Sequence, residues 1–151
     1  MTPALPILQD EVFLEEHRRI RLRLLRLRRF ASPDSGFPTA VSCLISCLDE
    51  IDGLLPELTA HFAREQRFFY SQFELDDHGE AFQAGEALLG EHQPLIRELR
   101  ALQESGRCVV EELRAGHDAG SMAGALRVYL SATVQDLIDH EEKDRELLSG
   151  A

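Results

Sequence analysis

An all-α fold, an antiparallel up-down-up-down four-helix bundle, is predicted by three features of this sequence. Apolar residues recur over four long stretches at alternating steps of four and three, the spacing that lines one helix face. No stretch alternates apolar and polar residues for the length of a useful strand. The chain also divides into two similar halves, each reading as a helical hairpin. Its 151 residues, 44% hydrophobic and 28% charged, match one domain over 1–151 with a substantial core, and exclude a disordered chain.

Thr2 to Leu8 reads as an extended lead-in, because Pro3 and Pro6 resist helix. Asp10 can then cap a first helix running to about Phe30, with Glu11, Glu15 and Glu16 in early turns where the helix dipole favours negative charge. Its inward stripe is Phe13, His17, Ile20, Leu24 and Leu27. The same helix carries Arg18, Arg19, Arg21, Arg23, Arg26, Arg28 and Arg29. The favoured reading of that run is a solvated face pairing with acidic neighbours; the alternative is a surface for an anionic partner or a neighbouring subunit.

Ser32 to Thr39, with Pro33, Gly36 and Pro38, reads as a loop. A second helix is predicted from near Ala40 to about Phe73, with Cys47, Ile51, Leu54, Leu58, His61, Glu65 and Phe68 inward. Pro56 removes a backbone hydrogen bond and crowds the preceding turn, so a kink or local break is expected near Gly53 to Pro56. Glu74 to Gly79 forms the turn between hairpins, with Asp76 or Asp77 available as a cap and His78 at the surface.

The third helix carries Leu88, His92, Leu95, Leu99 and Leu102, with Pro94 marking a distortion beside the histidine. Ser105-Gly106 is a possible break, after which Cys108, Val109, Val110 and Leu113 resume the pattern. Ala115 to Ser121 is a second loop, containing an exposed His117. The last helix runs from about Met122 to Leu148, with Leu126, Leu130, Thr133, Leu137, His140, Asp144 and Leu147 inward.

Charge and composition narrow the function. A net charge of −11 argues against nucleic acid as the main partner. No apolar run approaches the ~20 residues needed to span a bilayer, and the N-terminus lacks a basic start followed by an apolar segment. A cytoplasmic protein without a membrane role is the expectation, its protein partners unspecified. Cys43, Cys47 and Cys108 form no disulfide framework, and Cys43 and Cys47 read as small buried apolar residues rather than a redox pair.

The chemistry lies in the repeat. Leu137-Ile138-Asp139-His140-Glu141-Glu142-Lys143-Asp144 places an imidazole and a carboxylate one helical turn apart on a common face, as does His61-Phe62-Ala63-Arg64-Glu65. Each motif is preceded by a Glu-His pair, Glu16-His17 and Glu91-His92. When these pairs are superposed, Ile20 falls on Leu95, Leu24 on Leu99 and Leu27 on Leu102. A single histidine on an apolar face is usually a satisfied core residue. Here four of the six histidines occupy the inward stripes of four different helices, and burying Glu65 and Asp144 unpaired would cost several kcal/mol. A bound cation removes that objection. Nitrogen and oxygen donors without thiolate favour iron ahead of manganese, whereas zinc needs only four ligands at one ion. Glu65 and Asp144 can bridge two ions, each taking two of the four histidines.

The two repeats, each a lone His followed by His-x-x-x-Glu or its Asp version, resemble the hemerythrin-like HHE cation-binding domain from His17 to Asp144. The resemblance implies a non-haem di-iron site in a four-helix bundle, with His17, His61, His92 and His140 as terminal ligands and Glu65 and Asp144 as bridges. It implies binding or sensing of dioxygen, nitric oxide or iron. Oxygen-carrying hemerythrins have two histidines one turn apart on the third helix, but here Leu88 and Ile96 stand one turn either side of His92. Glu141 is the substitute ligand this departure suggests, with Glu142 behind it. Such a site moves the expectation away from reversible oxygen carriage, towards sensing or oxidation chemistry. A di-iron enzyme with ferroxidase or peroxidase-like turnover is the alternative, and a metal-free helical interaction module using the Arg-rich helix is the second.

Overall fold

The computed structural model describes residues 11–32, 41–72 and 79–149. It contains four helices, α1 (Glu11–Phe30), α2 (Val41–Gln72), α3 (Glu80–Arg114) and α4 (Gly120–Ser149). Among the described residues there is no strand. Each helix packs on the next, and α4 packs back on α1 to close the ring, so the predicted hemerythrin-like bundle is the observed fold. The lead-in at Thr2 to Leu8, the Asp10 cap, the loop residues 33–39 and the turn from Glu74 to His78 lie outside the described residues.

Four-three spacing puts one stripe of each helix on the bundle axis. Ile20, Leu24 and Leu27 of α1 meet Leu44, Ile51, Leu54 and Leu58 of α2 in a core completed by Leu99 and Leu102 of α3 and Leu130 and Leu137 of α4. Each such side chain contributes about 1.5–3 kcal/mol by leaving water. The predicted stripes hold except near two helix ends. In α2 it is Phe69 that is buried while Phe68 is half-buried, and in α4 Leu147 is half-buried. Phe69 turns inward because it stacks on Phe82 of α3, the ring centroids 5.5 Å apart.

Neither proline interrupts its helix. Helix α2 runs uninterrupted through Gly53 and Pro56. Pro56 and Asp52, the residue whose carbonyl the ring crowds, are both exposed, so water can take the carbonyl that loses its partner. Pro94 sits within α3 in the same way, exposed and one turn after exposed Gly90. Nor does α3 stop at Ser105-Gly106. A Cβ on Gly106 would stand 2.5 Å from Leu48 Cδ2, so this glycine allows α3 and α2 to approach closely. Helix α3 ends instead at Arg114. Gly116, at φ +78°, lets the His117 amide donate to the Glu112 carbonyl in a Schellman-type closure. Asp118 Oδ1 then accepts from the Gly120 amide at 3.0 Å, starting α4 before Met122.

The arginine run divides by position. Arg23 pairs with Glu57 at 3.1 Å and Glu50 at 3.2 Å, Arg26 reaches Glu50, and Arg18 pairs with Glu15 on its own helix. These pairs belong to the solvated-face reading, and those of Arg23 and Arg26 tie α1 to α2. Arg21 and Arg28 face the other side, towards α4. No helix among the described residues is long and apolar enough to cross a membrane.

Candidate metal centre

His17 lies in the first half of α1, His61 in the last half of α2, His92 in the first half of α3 and His140 in the last half of α4. In an antiparallel bundle these positions share one end, and the four imidazoles converge there. The His17 and His61 ring centroids are 4.4 Å apart, and those of His92 and His140 are 5.0 Å apart. Phe62 lies between the pairs, stacked on His92 at 3.8 Å and edge-on to His140. Phe13 covers His17 and His61 on the other side.

Carboxylates complete the cluster. One donor atom from each of His17, His61, Glu65 and Asp144 lies within 4.8 Å of the others; the same holds for Glu65, His92 and His140, and for His140, Glu141 and Asp144. Glu65 and Asp144 each belong to two of these three groups. Glu65 touches His61 Nε2 with one oxygen and lies 3.2 Å from His92 Nε2 with the other. Glu141 Oε2 lies 2.9 Å from His17 Nδ1, and its second oxygen is 3.8 Å from His61 Nε2. All seven side chains singled out from the sequence therefore surround one region. His117 is exposed and bonded to Glu112 at 2.8 Å, and none of the three cysteines joins the cluster. Burial pushes the Cys47 thiol up to about 12, so it stays protonated in the apolar core.

The atoms turned inward crowd one another without forming regular hydrogen bonds. The Nε2 atoms of His17, His61, His92 and His140 are buried and unsatisfied, as are Glu65 Oε1, Glu141 Oε1 and Asp144 Oδ2. Each such atom costs about 1–3 kcal/mol if left bare. Cations at the centre would satisfy all of them at once, so the donor set fits metal. The charge states agree. Burial raises the Glu65 carboxyl to about 8, against a hydrogen bond with Asp144 that lowers it. Asp144 is also raised well above the carboxylate range by burial and by Glu65. Without a cation, burial favours the neutral form of both carboxyls. Burial opposes ionisation of Glu141, but the His17 hydrogen bond and the surrounding imidazoles outweigh it and hold this carboxyl below its ordinary value. His92 is lowered to about 3 by burial and by His140 and His61, which keeps it in the neutral, metal-ligating form.

A set of outer residues was not assigned a role from the sequence. Glu16 accepts a hydrogen bond from His61 Nδ1 at 2.8 Å, and Glu91 accepts one from His140 Nδ1 at 3.2 Å. A carboxylate on Nδ1 fixes the tautomer whose Nε2 is bare and aimed at the centre. Each of these glutamates is held by a cation from the following motif, Glu16 by Arg64 at 2.6 Å and Glu91 by Lys143 at 3.6 Å. The signal was in the repeat: a Glu directly before the lone His, and a basic residue three after the second.

The family model of the hemerythrin HHE cation binding domain matches residues 9–150. No curated protein gives a significant match, and neither does any solved structure.

Proposed function

Because the chain belongs to the hemerythrin HHE cation-binding domain family, we propose that this cation-binding bundle holds two non-haem iron ions and uses them to bind or sense dioxygen, nitric oxide or iron itself. The observation that carries the reading is the inward ring of seven buried nitrogen and oxygen atoms that make no regular hydrogen bond. His17 and His61 would hold one ion and His92 and His140 the other, with Glu65 and Asp144 available to both, in keeping with the overlapping donor groups. Glu141 completes the second ion's set beside His140. When bound, an iron pair would supply electron transfer and open positions for a small diatomic ligand.

The residues around the donors set the terms of that chemistry. Glu16 and Glu91 orient the rings of His61 and His140. Phe13 and Phe62 exclude water from the imidazoles. Leu88 is buried and Ile96 half-buried on either side of His92, so α3 offers an apolar wall where an oxygen carrier places a further imidazole. A carboxylate in place of that imidazole favours sensing over reversible carriage.

Anaerobic loading of the purified protein with ferrous iron, followed by metal analysis, tests the reading. Two irons per chain and the near-ultraviolet absorption of a ferric pair after oxidation are expected. Absence of stoichiometric metal after loading would sink the proposal and favour the metal-free module. Exposure of the ferrous protein to oxygen then separates a persistent spectral change, which supports binding, from continuous oxygen or peroxide consumption, which supports an enzyme.

A further inference from the structure

Helices α1 and α4 leave between them a groove of about 360 Å³, within the size range of small-molecule sites. From Leu14 to Arg28, α1 advances roughly 21 Å at 1.5 Å per residue, so the groove is long as well as narrow. Its apolar surface comes from Leu14, Leu24, Leu25 and Ile138. Leu14 and Leu25 are each 40% exposed, unusual for two leucines on the same helix face beside an open cavity.

Its charge is opposite to that of the molecule. The chain carries −11 overall, yet Arg18, Arg21, Arg28 and Arg145 border the groove. Arg18 pairs with Glu15. Among the described residues, Arg21, Arg28 and Arg145 have no acidic partner. Glu141 faces the groove but is engaged by His17, which leaves Glu142 at the rim as the opposing carboxylate. Three free guanidinium forks beside a strip of leucine and isoleucine match an anion with an apolar body.

We propose that this groove binds a fatty-acid-like monocarboxylate, its chain laid along α1 over the leucines and its carboxylate met by the free arginines. A second copy of the chain is a poorer occupant, because a self-complementary contact would set these arginines against one another. The occupant would lie over the His17–Glu141 pair. His17 and Glu141 are 18% and 13% exposed, whereas His61 and His140 are fully buried. The groove is thus where the metal-binding cluster comes nearest to solvent.

Calorimetric titration of the whole protein with dodecanoate, both metal-loaded and metal-free, tests this. The metal-free arm separates failure of the groove from failure of the iron assignment, since the groove's arginines and leucines are not among the proposed ligands. One dodecanoate per chain with micromolar affinity is expected. Arg28→Glu and Arg21→Glu should each weaken it at least tenfold with unchanged circular dichroism and metal content. Leu25→Gln, a milder change on the exposed strip, should weaken it by less. Acetate and dodecyltrimethylammonium should not compete. No binding at millimolar dodecanoate, equal binding of the cationic analogue, or full affinity in both arginine variants would overturn the proposal. So would a dimer in sedimentation that Leu25→Glu dissociates, because a second copy would then cover this face.

Discussion

The two hairpins are built to one plan but hold their histidines differently. In the first, Glu16 is mostly buried, accepts from His61 Nδ1 at 2.8 Å and is gripped by Arg64 at 2.6 Å. In the second, Glu91 is 36% exposed, with His140 at 3.2 Å and Lys143 at 3.6 Å. A bonded guanidinium fixes its carboxylate more firmly than a mobile ammonium does. The lone histidines diverge too. His17 Nδ1 is tied to Glu141 across the bundle, whereas His92 Nδ1 has no partner and its ring is held flat against Phe62. The first half fixes its imidazoles by hydrogen bonds, and the second relies more on packing.

Ligand deletions break the comparison most severely. His61→Ala and His140→Ala should each strip metal by more than the ~10–100-fold that loss of an outer partner costs, read by metal analysis after dialysis. His117→Ala, on the exposed turn, should leave metal content unchanged. Full iron occupancy in His140→Ala would mean that the second half is dispensable.

Next in size is the pH dependence of the metal-free protein. Glu65 titrates near 8 when folded and near 4.5 when unfolded. Its contribution is therefore present below pH 4.5 and lost as pH rises through 8, a change on the order of a few kcal/mol. Asp144 acts in the same direction. His92 opposes them: neutral in the fold down to about pH 3, it contributes stability above pH 6.5 that is lost on acidification. Denaturant melts should show stability rising as pH falls from 8 to 6.5, rising less steeply from 6.5 to 4.5 where His92 opposes the two carboxyls, and falling below 4.5, where His92 and the lowered Glu141 both favour the unfolded chain. Glu65→Gln should flatten the upper limb. Metal loading should reverse that limb, because its ligands must lose protons.

Smaller changes sharpen the contrast between the halves. Glu16→Gln should weaken metal affinity by about 10–100-fold and Glu91→Gln by less, measured by competition with a chelator; the reverse order would refute the tighter grip assigned to the first half. Arg64→Ala should cost no more than about 1 kcal/mol of stability, and Lys143→Ala close to nothing, as expected for pairs open to water.

The four helices and their buried faces were legible because four-three periodicity is a local property, and six of the seven cluster residues lay on those faces; Glu141, beside the stripe, was suggested only by the missing histidine near His92. Proline was where local reasoning left two outcomes open, a kink or a break. Whether Pro56 breaks a helix depends on whether water reaches the Asp52 carbonyl, which the sequence does not specify. Gly106 looks locally like a possible break because its close neighbour, Leu48, is far away in the chain. The roles of Glu16 and Glu91 were hidden for a related reason. Each sits beside one histidine in sequence and serves another, on the next helix.

Most of the apolar core lies towards one end of the bundle and the polar cluster towards the other. Leu44, Leu54, Leu102 and Leu126 stand well away from the imidazoles along their helices. Removing metal should therefore loosen one end while the other stays clamped. Amide exchange would then be graded, fast around Glu65 and His140 and slow around Leu54 and Leu130. A chain that frays at one end need not refold to be recharged: cations can come and go with only the last turns opening and closing.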